Sequence, residues 1–437
     1  MLPRHIIQSD FYLRMPDSSK ATHCTASGTR AAGLERLAGF VPRAGRAYAA
    51  ARNEDRGIGG RQAVSGLSPW IRHRLVTEAE VLEAVLSTHT PAAAAIFIEE
   101  LCWRGYFKGH LEARPSIWAE YRRALANLRG QVARRGMLAD AVDRATSGQT
   151  GIDCIDAWVP ELRDTGYLHN HARMVFASIW IFTLKLPWQL GADFMYRHLL
   201  DGDPASNTLG WRWVAGLHTA GKRYLARADI VTQCSGGRFA PEGLAQDAAP
   251  LTESASHPRV ALPAAVTSPP TGRFALLLTE EDLHPESLGI DPGQVIGVAG
   301  AVTPGSRSPW LVSEHVLRFT KDAMADALAR AAVNFACPVE TLGGLDGDSI
   351  AEWAERIGAT TVLTPCTPVG PVEETLADAG YWLSMRRLKL LQLRRHYDGT
   401  LWPFATRGFF DLRERIPQIL AALNLQTGKP QQGELRF

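Results

Sequence analysis

The sequence predicts two fold classes in one chain: an all-helical domain over residues 30–240, then an α/β domain with a parallel sheet over 273–437. Three observations lead there. Up to about residue 240, Ala and Leu are frequent and apolar residues recur at spacings of three and four, the period of helices buried on one face. Residues 241–272 hold six prolines and little apolar periodicity, the pattern of a linker. Beyond it, short apolar runs alternate with helical stretches, as parallel strands joined by crossover helices do. Residues 1–29 read as a loose tail.

Bulk properties narrow the function classes. A chain of 437 residues, 46% hydrophobic and 21% charged, can bury a large core and is not wholly disordered. No apolar run reaches the roughly 20 residues that span a bilayer, and the N-terminus lacks a secretory pattern, so a cytoplasmic protein without membrane contact is expected. Six scattered cysteines form no CxxC and no metal-type spacing, so no metal site is expected. Net charge is +2 but uneven: residues 1–240 carry 30 Lys and Arg against 22 Asp and Glu, and residues 241–437 carry 17 against 23. An excess of +8 in the first part suits an anionic partner, and a random spread over a large surface would give the same count.

Element by element, VTEAEVLEAVL (76–86) is a helix with a capping box from Thr77 and Glu80. Residues 91–111 form one long helix opening on Pro91, and 116–136 another that ends in a basic cluster and Gly136. Strands are expected at 274–282, 295–302, 338–344 and 360–368, with helices at 319–332, 348–359 and 372–380. LKLLQLRRHYDGTLW (388–402) could add a final strand or two around Asp398 and Gly399, and 411–424 should close the chain as a helix.

Four stretches can carry chemistry. In VSGLSPWIRH (64–73), small residues before a helix could cradle a phosphate or form a capped turn. In EELCWRGYF (99–107), Glu100 and Arg104 could pair on the surface and Trp103 could be core. In TGYLHNHARM (165–174), Tyr167, Asn170, Arg173 and Met174 share a helical face that is mostly polar inside an apolar helix, so it needs partners. DGDPASN (201–207) offers them, with Asp201 suited to a charge-assisted pair with Arg173.

The order SGLS, ELCWR, TGYLHNHARM, LPW, LLDGDPASNTLGWRW and RFAPEGLA resembles the flavin-binding helical domain of the photolyase/cryptochrome family over about residues 45–245. The resemblance implies FAD as cofactor. Tyr48, Ser65, Gly66, Leu67 and Ser68 match its pyrophosphate grip, and Arg104 an arginine near the phosphates. Arg173 and Asp201 match an ion pair beside the isoalloxazine, Asp203 the acid near the ring and ribityl chain, and Asn207 the residue facing flavin N5. Glu100, Trp103, Tyr167, Asn170, Met174 and Trp213 match the wall on which a flipped-out pyrimidine dimer stacks. Trp211 and Trp188 match the proximal and middle members of the chain that photoreduces the flavin; residues 122–150 offer no distal tryptophan, so either Trp180 or a tyrosine substitutes for it or the chain is short.

The implied activity is that of a light-driven lyase splitting cyclobutane pyrimidine dimers in UV-damaged DNA, acting as a monomer. The other reading is a cryptochrome-like blue-light or redox sensor that binds FAD and answers to a protein partner. Departures from the family pattern favour the sensor: Tyr167 replaces a tryptophan, and Leu209 replaces a glycine and should crowd whatever approaches that turn. Domain order is unusual too, because the Rossmann-like antenna domain of the family comes first, whereas here an α/β domain follows. That domain could hold a second, antenna chromophore of unknown identity, and GGLDGD (343–348) is too loose for a phosphate loop.

Overall fold

A computed structural model describes residues 26–219 and 221–425. The expected tail, residues 1–29, lies almost wholly outside the described residues. The helical part begins at Arg30–Phe40, capped by the Thr29 hydroxyl. Thr77 and Glu80 form the expected capping box on Glu78–Leu86. The long helix starts at Ala95 rather than Pro91, because Thr90 caps a separate turn just before it, and it runs to Glu112. Ser116–Ala133, Asp153–Thr165, Asn170–Ser178, Trp188–His198 and Pro204–Ala215 complete the frame around the site described below. Among the described residues, no helix is long and apolar enough to cross a membrane.

The second part is a five-stranded sheet: β1 (Phe274–Thr279), β2 (Val295–Ala301), β3 (Val339–Thr341), β4 (Thr361–Pro365) and β5 (Lys389–Leu393). Every pairing is parallel and the order is β3-β2-β1-β4-β5. Strand period two splits β1 between two cores. Ala275 and Leu277 face Gly347–Arg356 and Pro371–Met385. Leu276 and Leu278 face Glu314–Phe335 and join one continuous core with Leu37, Phe40, Leu82 and Tyr106 of the helical part. The proline-rich segment 241–272 straps both parts: Leu251 N–H donates to Ala215 O at 2.9 Å, Val260 to Ala113 at 2.8 Å and Val266 to Gln392 at 2.9 Å.

Two expectations change. Of the strand or two expected in 388–402, β5 forms ahead of Asp398 and no second strand follows it; His396–Leu401 is a helix, because Tyr397, Leu401 and Trp402 are buried on the apolar core and Arg74 holds both Asp398 oxygens at 2.6 and 2.8 Å. The closing helix is split into Phe409–Arg413 and Ile416–Ala422, with Pro417 in the first turn of the second.

Buried carboxyls make the stability of this packing pH-dependent. Burial pushes the Glu112 carboxyl up to about 7, against the Val369 N–H it accepts, and pushes Glu280 up to about 7 against the Thr303 N–H. An unfolded glutamate releases its proton near ~4.3, so the folded state holds the proton to higher pH and stability falls as pH rises through that window. Glu112→Gln is therefore expected to gain melting temperature relative to wild type as pH rises from 5 to 8. A difference between the two proteins that stays constant over this range would contradict the assignment.

Candidate flavin site

The helices converge on one cleft of about 500 Å³. Its mouth on one side is the turn before Ser68–Arg72, where Ser65, Gly66 and Ser68 line the space. Gly66 has φ +62°, a left-handed conformation that a side chain strains, and an added Cβ would come within 2.5 Å of the Arg36 guanidinium. Arg36 Nε donates to Ser65 O at 2.6 Å and so braces the turn from outside. Tyr48 lines the same side. Leu67 does not: it is fully buried and only shapes the turn from behind.

Helix Ala95–Glu112 brings Glu100, Trp103, Arg104 and Phe107 to the cleft. Glu100 and Arg104 do not pair with each other. Glu100 meets Arg52 at 3.5 Å, while Arg104 turns to Glu78 at 3.4 Å and Asp203 at 3.6 Å. Burial raises the Glu100 carboxyl, and Arg52 opposes the shift. Trp103 is half-buried and stacks on Phe409 with centroids 3.7 Å apart and planes 10° apart.

Asn170, Arg173 and Met174 enter from Asn170–Ser178, whose N-cap is His169. Tyr167 lies before the helix rather than on its face, under the guanidiniums of Arg61 at 4.4 Å and Arg173 at 5.5 Å. Arg173 and Asp201 form the expected pair at 2.8 Å. Asp203 caps Pro204–Ala215 through Oδ1, which accepts Ser206 N–H at 2.9 Å. Asn207 is anchored by donating Nδ2 to Ala192 O at 2.9 Å. Trp211 and Trp213 complete the wall. Leu209, expected to crowd this turn, instead points into the helical core with no exposed surface, and neighbouring Gly210 lines the cleft with nothing within 4 Å of an added Cβ.

Trp188 is not a lining residue; it stacks on Tyr121 at 5.6 Å, and Tyr121 tilts onto Trp118 at 5.2 Å. Trp211 has Trp180 and Phe176 as edge-on ring neighbours, at 6.3 and 6.4 Å. Trp211 and Trp180 pack on Gly191, where a Cβ would lie 2.3 Å from Trp211, so only glycine admits them.

Behind the lining residue Asp203 lies a buried floor of charge, outside the cleft lining itself, whose residues the sequence does not single out. Lys108 Nζ is 3.3 Å from Asp203 Oδ2, and Arg72 Nε is 4.0 Å from it. Burial opposes ionisation of Asp203, but Lys108, Arg104 and Arg72 outweigh it and hold the carboxyl well below the usual range. Lys108 stands one turn beyond Arg104 on the same helix face, a spacing that could have flagged it. Arg72 gave no such signal, since its partners lie more than a hundred residues away.

Residues 97–243 match the model for the FAD binding domain of DNA photolyase. Over those residues the chain is similar to the flavin-binding domain of the photolyase/cryptochrome family. Among the photolyase relatives, the deoxyribodipyrimidine photo-lyase of Streptomyces griseus is 34% identical over 182 residues, covering 39% of this chain and 38% of that one. The enzyme of the same name from Escherichia coli K12 is 31% identical over 183 residues, covering 41% and 36%. The chain thus spans under two fifths of the length of these photolyase relatives. The crystal structure of a bacterial class III photolyase from Agrobacterium tumefaciens aligns with a TM-score of 0.41 at 26% identity, covering 48% of this chain and 44% of that one.

The residues of this cleft fit FAD. Asp201 lines it, and its Oδ1 is buried with no hydrogen-bond partner among the described residues, so it calls for a donor such as a ring N–H. Arg52 and Arg104, with the Ser65 and Ser68 hydroxyls, complement phosphate oxygens. A cleft of this size lies within the usual range of cofactor sites.

Proposed function

We propose that the protein is a light-driven DNA-repair flavoprotein that splits cyclobutane pyrimidine dimers. One observation carries the reading: residues assigned to the cofactor (Asp201, Asp203, Asn207, Arg173) and to the substrate (Glu100, Trp103, Asn170, Met174, Trp213) line the same cleft. Bound there, FAD in its reduced form supplies light absorption and the electron that opens the dimer. The chain's own residues do the rest. Arg173 and Asp201 fix the ring edge, and Asp203 the ribityl side. Trp103 and Trp213 offer faces for flipped bases, and Glu100, whose carboxyl is raised by burial, hydrogen-bonds the dimer. The +8 balance of residues 1–240 suits the phosphate backbone of DNA.

Residues 30–240 are taken as the flavin domain, 241–272 as its linker and 273–437 as an antenna-like domain. Its all-parallel sheet and strand order support a Rossmann-like assignment. The second reading, a cryptochrome-like sensor without repair, is favoured by Tyr167, which two guanidiniums hold at the substrate wall where the family has tryptophan. In that reading Trp211 and Trp188 carry photoreduction and a protein partner reads the result.

Purified full-length protein is expected to be yellow and to release FAD on denaturation. Under blue light and reducing conditions it should remove dimers from oligothymidine. FAD without dimer loss leaves the sensor reading standing; colourless protein without FAD sinks both.

A further inference from the structure

The carboxyl ends of the strands are where open α/β sheets usually take ligands. Here the residues just after β1 are spent on the helical part instead. Glu281 holds Arg72 through both oxygens at 2.7 and 2.5 Å, and Arg72 Nε donates to Gly202 O at 2.7 Å. His73 Nδ1 meets Glu280 O at 2.6 Å, and Arg74 meets Asp282 at 3.3 Å. Glu281 also lies 3.8 Å from Lys108, the cation 3.3 Å from Asp203. Arg72, Lys108, Asp203 and Glu281 are each at most 4% exposed, so solvent screens none of these charges.

We propose that Glu281 is a positioning residue for the cofactor floor, holding Arg72 and Lys108 in place and setting the net charge beside Asp203. The α/β part then contributes to the electrostatics of the flavin site rather than only packing against it. The proposal rests on FAD occupying the cleft. Asp203 alone faces three cations: Lys108, Arg104 and Arg72. Glu281 offsets two of them, and Glu78 takes part of Arg104. Removing Glu281's charge leaves the floor more positive, which favours the more negatively charged, reduced form of a bound redox group. Removing the Lys108 charge does the reverse.

The test is the midpoint potential of the flavin bound to the full-length protein, measured for wild type, Glu281→Gln, Lys108→Met and the double variant. Glu281→Gln is expected to raise it by about 30 mV, a tenfold change in a two-electron equilibrium. Lys108→Met should lower it, and the charge-balanced double variant should return it to the wild-type value. Single variants that shift in the same direction, or not at all, overturn the proposal. A merely structural role for Glu281 would leave the double variant as far displaced as the singles. Should Glu281→Gln fail to hold flavin, Lys108→Met and the double variant still decide: a double variant displaced as far as Lys108→Met overturns the proposal. Wild-type protein that releases no FAD fails earlier, and refutes the flavin reading itself.

Discussion

Asp203→Asn is expected to cost roughly 3 kcal/mol of stability and to weaken FAD retention at least about tenfold. The substitution separates two roles. Asparagine caps a helix about as well as aspartate, so Pro204–Ala215 should keep its start. What is lost is the charge. Lys108 Nζ, 2% exposed, would keep only the Glu281 contact at 3.8 Å, and a buried cation stripped of its nearest partner is strongly destabilising. The pH dependence fixes the sign. The folded carboxyl is held below its unfolded value, so its contribution is fully present above about pH 4 and is lost as pH falls below that. The melting-temperature gap between wild type and variant should therefore be widest at neutral pH and should narrow in acid. A gap that is constant from pH 7 downward would mean that the cap or local packing, not the charge, carries the effect. FAD retention, read by fluorescence after ultrafiltration, should fall in parallel at neutral pH.

Residues that work within one turn of chain were legible in the sequence. Thr77 and Glu80 announce their capping box, and the polar face of TGYLHNHARM finds its partner when Arg173 pairs with Asp201. Strand–helix alternation gave the parallel sheet, because βαβ units write their period directly into the chain. What stayed hidden depends on pairs far apart. Glu281 reads as one acid among three at a strand end, and only folding places it on Arg72, 209 residues away. Asp398 followed by glycine reads as a turn, yet Arg74, 324 residues away, takes the carboxylate into the core and a helix forms. Leu209 was misjudged for a related reason. Its position in a family pattern gives its place in the chain but not which side of the helix it takes, and one residue further on it is Gly210 that faces the cleft. The stacking of Trp188 on Tyr121, and of Tyr121 on Trp118, was hidden too, because those two residues come from another helix and carry no signal of their own.

Trp103→Ala is expected to weaken binding of dimer-containing DNA by roughly 10- to 100-fold, the equivalent of losing about 1–3 kcal/mol of base stacking, while sparing the flavin spectrum. The geometry states the reason. Trp103 lies in the cleft wall with one face against Phe409 at 3.7 Å, so the ring is held in a single orientation before any base arrives. A pre-set ring loses little freedom on binding, which is what makes a stacking platform effective. Phe409→Ala is the informative companion: Phe409 is outside the cleft, so it removes the brace and leaves the platform. Its effect on binding should be several-fold smaller than that of Trp103→Ala. Because neither residue carries charge, the salt dependence of DNA binding should keep its wild-type slope in both variants. Equal losses in the two variants would mean that Trp103 matters only as core packing for Phe409. An unchanged affinity in Trp103→Ala, with the flavin in place, would remove the substrate wall from this face and leave the cleft to a sensor.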